Sequence, residues 1–241
     1  MHKQPIKARA FFWKGMYIFE LLPTSARAAK GMFICLHGFP AWSTKNYDIA
    51  EYLCLLGYAV LIPHYHGLGF SKGEFSFKQS AQRADHFIRY VKKYYKMPVS
   101  LMGHSWGGYL AIALCHHIEK NLLLFAPLSR FPAGRSLSQL IKGLFLEAPD
   151  DCRRYTTATM RKELESLARS TSYEKFFTKM ANKRLLIVHG KNDNVIPIED
   201  SRALVAKLKV SSDILELDDD HLLLQRRRDI FKFLSQWFLR K

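Results

Sequence analysis

Long apolar runs are missing from this chain of 241 residues, and none approaches the ~20 residues needed to cross a bilayer, so no stable membrane insertion is expected. Lys14 and Glu20 interrupt the stretch from Phe11 to Leu22, which removes a continuous secretory leader from the reading. Cysteine is scarce. Cys35, Cys54, Cys115 and Cys152 show no C-x-x-C spacing, and three of them lie in apolar segments, so they read as reduced core residues of a cytoplasmic protein. No G-x-G-x-x-G or P-loop string occurs, and no nucleotide cofactor is implied. His116-His117 and the pair His64/His66 lack a carboxylate or cysteine set at ligand spacing, so no metal is expected either. Acidic residues are in deficit, with 21 Asp+Glu against 37 Lys+Arg and a formal charge of +16. Such an excess suits nucleic acid, anionic membrane or acidic substrates. The cations are nevertheless scattered, no basic tract is interleaved with aromatics, and Arg226-Arg227-Arg228 falls inside an amphipathic helical pattern. The excess therefore reads as a basic surface, with no nucleic-acid partner expected.

What is present is a hydrophobic fraction of 48%, enough for one large α/β domain with an insertion. Apolar runs at 9–14 and 16–22 around Lys14-Gly15 predict an antiparallel hairpin. Buried strands follow at Gly31–Leu36, Tyr58–Ile62, Val99–Met102, Leu122–Ala126 and Leu185–Val188, with a last strand at Ile214–Leu217. Helical patterns separate them: Tyr47–Leu56, a capping-box helix after Ser76/Gln79, Trp106 to about Ile118, Ile198–Leu208 and the C-terminal stretch through Trp237. Short apolar runs alternating with helices signal a parallel sheet covered on both faces. Between Pro127 and Lys183 the alternation breaks into about three helical patterns, the first placed after a Ser136/Gln139 cap and the last after Ser172. The domain reading is a core of 1–126 and 184–241, with residues 127–183 as a helical cap inserted after the sixth strand.

The chemistry centres on Gly103-His104-Ser105-Trp106-Gly107, which has the G-x-S-x-G form at a strand-to-helix junction. A serine on so sharp a turn crowds its neighbours, and Gly103 and Gly107 leave the backbone room to double back. The backbone N–H of Trp106 would face an oxyanion there, helped by the positive end of the helix. Serine needs an adjacent base, and the base needs an orienting acid. Asp193 follows the strand ending at Val188 by 5 residues, and His221 follows the last strand. In a parallel sheet all strand C-termini share one rim, so residues 88 and 28 positions apart can converge. Asp218, Asp219 and Asp220 remain open as alternative acids. His37 reads as bracing a loop, and His104 as the variable elbow position.

The order Ser, Asp, His, the elbow after two earlier buried strands, His37-Gly38-Phe39-Pro40, and the G-x-x-D string with Pro197 resemble the α/β-hydrolase superfamily over essentially the whole chain. The loop His64-Tyr-His66-Gly67-Leu68-Gly69-Phe-Ser71 is similar to the D-x-R-G-x-G-x-S loop of serine-aminopeptidase-like, monoacylglycerol-lipase-like and dienelactone-hydrolase-like members. It departs from them at His64 and His66. The resemblance implies a mostly parallel eight-stranded sheet, with Ser105 as nucleophile, His221 as base, Asp193 as its carboxylate, and the N–H groups of Phe39 and Trp106 as oxyanion hole. It implies a serine hydrolase needing no cofactor. Small or medium carboxylic esters are the first substrate reading, and peptidase, amidase or thioesterase activity is the alternative. Phe131, Phe145, Tyr155, Phe176 and Phe177 are available as cap lining. A non-catalytic basic protein that binds acidic partners is the rival class.

Overall fold

The computed structural model describes residues 6–24, 29–40, 46–170, 173–180, 182–208 and 212–240. The strands are β1 (Ile6–Trp13), β2 (Met16–Pro23), β3 (Met32–Leu36), β4 (Ala59–Pro63), β5 (Val99–His104), β6 (Asn121–Phe125), β7 (Arg184–Gly190) and β8 (Ser212–Leu217). They form one sheet in the order β1-β2-β4-β3-β5-β6-β7-β8. The β1–β2 hairpin is antiparallel, and β2 also pairs antiparallel to β4. From β4 to β8 every pairing is parallel. This is the expected mostly parallel sheet, and β3 to β6 are buried along their whole length because helices cover both faces.

The helices are α1 (Tyr47–Leu55), α2 (Phe77–Tyr95), α3 (Trp106–Leu114), α4 (Gly134–Glu147), α5 (Thr157–Ser170), α6 (Tyr173–Met180), α7 (Ile198–Lys207) and α8 (Arg227–Leu239). Side chains of alternating parity feed two cores. Phe33 and Cys35 of β3 join Ile49 and Leu53 of α1 and Ile230, Leu234 and Trp237 of α8. Met32, Ile34 and Leu36 join α2, α3 and residues of α4 and α5 on the opposite face. The N-terminus of α2 is capped as its sequence predicts, the Ser76 hydroxyl accepting from Gln79 N at 3.2 Å.

Three local expectations give way. Helix α4 starts at Gly134 with Ala133 at its N-cap, so Ser136 lies inside the first turn and caps nothing. Helix α3 stops at Leu114, and a 3-10 turn, Cys115–His117, completes the segment. The arginine triple stands at the start of α8, where Arg226 is the N-cap. Three cations there oppose the helix dipole, and Arg227 is compensated by Asp48 of α1 at 3.0 Å. Ser172, the expected start of α6, lies outside the described residues.

Leu234→Ala removes a fully buried side chain from the α1/α8 core and should cost about 2–5 kcal/mol, read as a lower urea midpoint. Leu239→Ala, at a position 81% exposed, should stay within about 0.5 kcal/mol of wild type in the same titration.

Candidate active site

Three strand ends build the site. β5 ends at His104 and runs straight into Ser105, which is held at φ 54°, ψ −117°. That is a conformation side chains resist, persisting only where the surroundings enforce it. The enforcement is visible on both sides of the serine. Its N–H donates to Phe125 O at 3.0 Å, and its carbonyl accepts from Leu128 N at 3.0 Å and Tyr109 N at 3.2 Å. The returning helix presses so close that a Cβ on Gly107 would lie 2.0 Å from Leu36 O, and one on Gly103 would lie 2.2 Å from Gly107 O. Only glycine fits there, as the elbow pattern requires.

The loop after β3 runs alongside. A Cβ on Gly38 would sit 3.2 Å from both Ser105 Cβ and His104 Nδ1, so the chain entering Phe39 passes directly beside Ser105. The Phe39 ring is clamped by Phe75, stacked at 4.4 Å, and by the edge of Phe77 at 4.9 Å. Trp106 is the first residue of α3, so its N–H has no carbonyl one turn earlier to bond. Its indole donates to Ser80 Oγ at 3.1 Å and stacks on Tyr109.

β7 and β8 deliver the other two residues. Asp193 Oδ2 lies 2.7 Å from His221 Nδ1. The same oxygen accepts from His189 Nε2 at 3.1 Å, while Oδ1 accepts from Val195 N and Ile196 N at 2.9 and 2.8 Å. Burial alone would raise the pKa of this carboxyl. The hydrogen bonds from His189 and His221, the charge of His221 and the Ile196 N–H outweigh it and hold Asp193 far below the usual carboxylate range. The two loops are laced by Lys191 N to Leu217 O at 2.7 Å and Asn192 N to Asp219 O at 3.1 Å. They approach so closely that a Cβ on Gly190 would meet Asp219 O at 2.3 Å. The neighbouring acids do other work: Asp219 accepts from Arg226 N, and Asp220 from Leu222 N, each at 2.8 Å. Among the described residues, Ser105 Oγ makes no hydrogen bond to His221, whose Nε2 is the nitrogen left free by the Asp193 contact.

Sequence reasoning left two histidines out of the site. His104 donates from Nε2 to the His221 carbonyl at 2.9 Å, with the two rings 5.0 Å apart. Burial, reinforced by His221, lowers its pKa to about 3 and keeps it neutral. His189 is fully buried and spans Asp193 Oδ2, Ile196 O at 3.0 Å and Ser201 Oγ at 2.7 Å. The signal for His189 was its place at the inward end of a buried strand, four residues before the acid. His37, by contrast, braces its loop: its carbonyl accepts from Tyr65 OH at 2.9 Å, and its Nδ1 donates to Gly38 O at 2.7 Å. Of the aromatics expected as lining, Tyr155 is tied to Phe77 N and Glu163, Phe131 meets Tyr109 edge-on, and Phe145 and Phe177 pack on the core. The side chain of Phe176 lies outside the described residues.

The family model described as Serine aminopeptidase, S33 matches residues 27–177, a stretch that contains Ser105 and ends before Asp193. The Mesoderm-specific transcript protein of Mus musculus is 25% identical over 125 residues, covering 50% of this chain and 37% of that protein. Among solved structures, Est1E from Butyrivibrio proteoclasticus, with ferulic acid bound, superposes with a TM-score of 0.76 at 20% identity, over 96% of this chain and 98% of that one. The Pyrococcus furiosus esterase Pf2001 gives 0.69 at 13% identity, over 98% and 90% of the two chains. XC6422 from Xanthomonas campestris, described as an α/β serine hydrolase without lid, gives 0.67 at 14% identity, over 98% and 94%. At these identities the likenesses speak for the fold.

The depressed pKa of Asp193 has a sign. At pH 3–4 the folded carboxylate binds fewer protons than its unfolded counterpart, so its contribution is present above the unfolded value near 3.9 and is lost as the pH falls toward the folded value. The gap in urea midpoint between wild type and Asp193→Asn should therefore hold constant down to about pH 5 and narrow from there to pH 3; a gap that stays constant down to pH 3 would contradict the assigned shift.

Proposed function

The chain belongs to the serine aminopeptidase S33 family of α/β hydrolases, and from that premise we propose that it hydrolyses small or medium carboxylic esters through an acyl-enzyme on Ser105. The observation that carries the reading is the placement of Ser105 on a strained turn at the sheet rim where the Asp193–His221 pair also arrives. A parallel sheet gathers these loops on one edge.

In this reading His221 Nε2 takes the Ser105 proton as Oγ attacks the ester carbonyl, and the imidazolium that forms is stabilised by Asp193. The tetrahedral oxyanion is received by the N–H groups of Phe39 and Trp106, each worth about 3–4 kcal/mol of barrier, with the N-terminus of α3 behind them. Collapse expels the alcohol, protonated by His221. Water then repeats the sequence and releases the acid. The Ser105–His221 bond is of the kind that closes fully only around substrate. His189 and His104 are positioning residues, the first gripping the acid and the second the backbone of the base. We read residues 127–183, which carry α4 to α6 between β6 and β7, as the cap that selects the acyl group, and the protein as cytoplasmic with a small-molecule ester as its partner.

The matched family's own description favours a second reading, a peptidase or amidase using the same three residues. Esters come first because their leaving group asks least of the site, and Est1E and Pf2001, whose names state esterase activity or carry it as a label, support that order.

A fluorophosphonate probe should label wild type and leave Ser105→Ala unlabelled; labelling of the variant would remove the serine-hydrolase reading. Asp193→Asn should lower kcat by about 10³–10⁴-fold through misorientation of His221. On matched acyl groups, p-nitrophenyl esters should exceed aminoacyl and peptide anilides in kcat/KM, and the opposite order would favour the peptidase.

A further inference from the structure

At the edge of the sheet opposite Ser105, where α3 ends, the fold supplies what the histidine pair His116-His117 lacks in sequence. Asp85, in the middle of α2, comes across to them. One donor atom from each of Asp85, His116 and His117 lies within 4.8 Å of the others. His117 Nε2 is 2.6 Å from Asp85 Oδ1, and the two imidazole rings stand 4.0 Å apart.

The surroundings orient these groups as outer contacts orient metal ligands. His116 Nδ1 donates to Ala113 O at 3.2 Å, which leaves its lone pair on Nε2. The second oxygen of Asp85 is held by Arg89 at 2.6 Å, which leaves Oδ1 directed at the histidines. Burial, followed by the charges of His117 and Lys179, lowers the pKa of His116. Asp85 is held below the usual carboxylate range because the bonds from His117 and Arg89 outweigh its burial.

We propose that His116, His117 and Asp85 form a divalent-metal site, best suited to Zn²⁺, with water completing a tetrahedron. Two imidazoles are borderline donors that favour Zn²⁺ over Mg²⁺ or Ca²⁺, and a carboxylate oxygen is an ordinary third ligand to Zn²⁺. The metal replaces the proton that His117 Nε2 shares with Asp85. The imidazole must move that proton to Nδ1 or release it, so binding weakens in acid. A tetrahedral Zn²⁺ with bonds near 2.0–2.1 Å spaces its ligands roughly 3.3 Å apart, so the His117–Asp85 pair opens by about 0.7 Å, within the reach of a rotamer adjustment. The cations facing the cluster, Arg89 and Lys179, together with Lys92, which donates to His117 O, keep the affinity moderate. A bound ion would pin the middle of α2 to the turn that follows α3. This site is independent of the esterase reading and stands or falls without it.

The test is Zn²⁺ titration by calorimetry at pH 7.5 on tag-free protein, with Co²⁺ as a spectroscopic probe. Wild type should bind one Zn²⁺ per chain, and Co²⁺ should give the visible absorption of a four-coordinate N/O site. Asp85→Asn, His116→Ala and His117→Ala should each weaken binding at least tenfold, whereas His86→Ala, an exposed histidine beside Asp85 on α2, should not. His116→Ala trims an exposed side chain, and its circular-dichroism melting midpoint without metal should match wild type. With Zn²⁺ the midpoints of wild type and His86→Ala should rise, and that of His116→Ala should not. Absence of saturable binding, or binding that survives His116→Ala and Asp85→Asn, overturns the site.

Discussion

A carboxylate that stays ionised while almost fully buried underlies the arrangement of the rim. Asp193 is 8% exposed, and an unpaired charge in that position would be prohibitively costly. Four donors remove the cost: two imidazoles on one oxygen and two backbone N–H groups on the other. The backbone pair comes from the turn that follows Asp193 itself, so the loop folds around its own acid. Of these four donors His189 is the one held in the sheet, fully buried in β7 one residue before the strand ends. The position of His221 is inherited from this anchor.

The same economy governs the serine. Its positive φ is maintained by hydrogen bonds to β6 and to the segment after it, and by glycines whose missing side chains let α3 close on the end of β3. Those contacts are backbone to backbone, so they tolerate wide sequence change elsewhere. This accounts for a shared fold with Est1E at only 20% identity.

Helices α4, α5 and α6 sit between β6 and β7, and several of their apolar side chains belong to the same core as α2 and α3. Glu163 of α5 accepts from Ser76 Oγ at 2.6 Å, from Lys78 N at 2.8 Å and from Tyr155 OH at 2.6 Å. Helix α5 is thereby stitched to the N-terminus of α2, where a carboxylate also complements the helix dipole. An aromatic such as Tyr155, which reads in sequence as pocket lining, is occupied by this stitching.

Hydropathy period and glycine placement were sufficient to read the strands and the sharp turn at Ser105, because burial on both faces demands continuous apolar runs and a sharp turn demands glycine. These are local constraints written residue by residue. Helix starts were less legible: Ser136 has the chemistry of a cap, yet the chain enters α4 two residues earlier, since capping is worth only about 1 kcal/mol and packing of Leu137 and Ile141 outweighs it. The hydrogen bond between His221 and Asp193, the grips of His189 and His104, and the approach of Asp85 to His116 and His117 were decided by the tertiary structure alone. Each depends on distances between segments that are set by strand order and helix packing, and a linear pattern carries no measure of them.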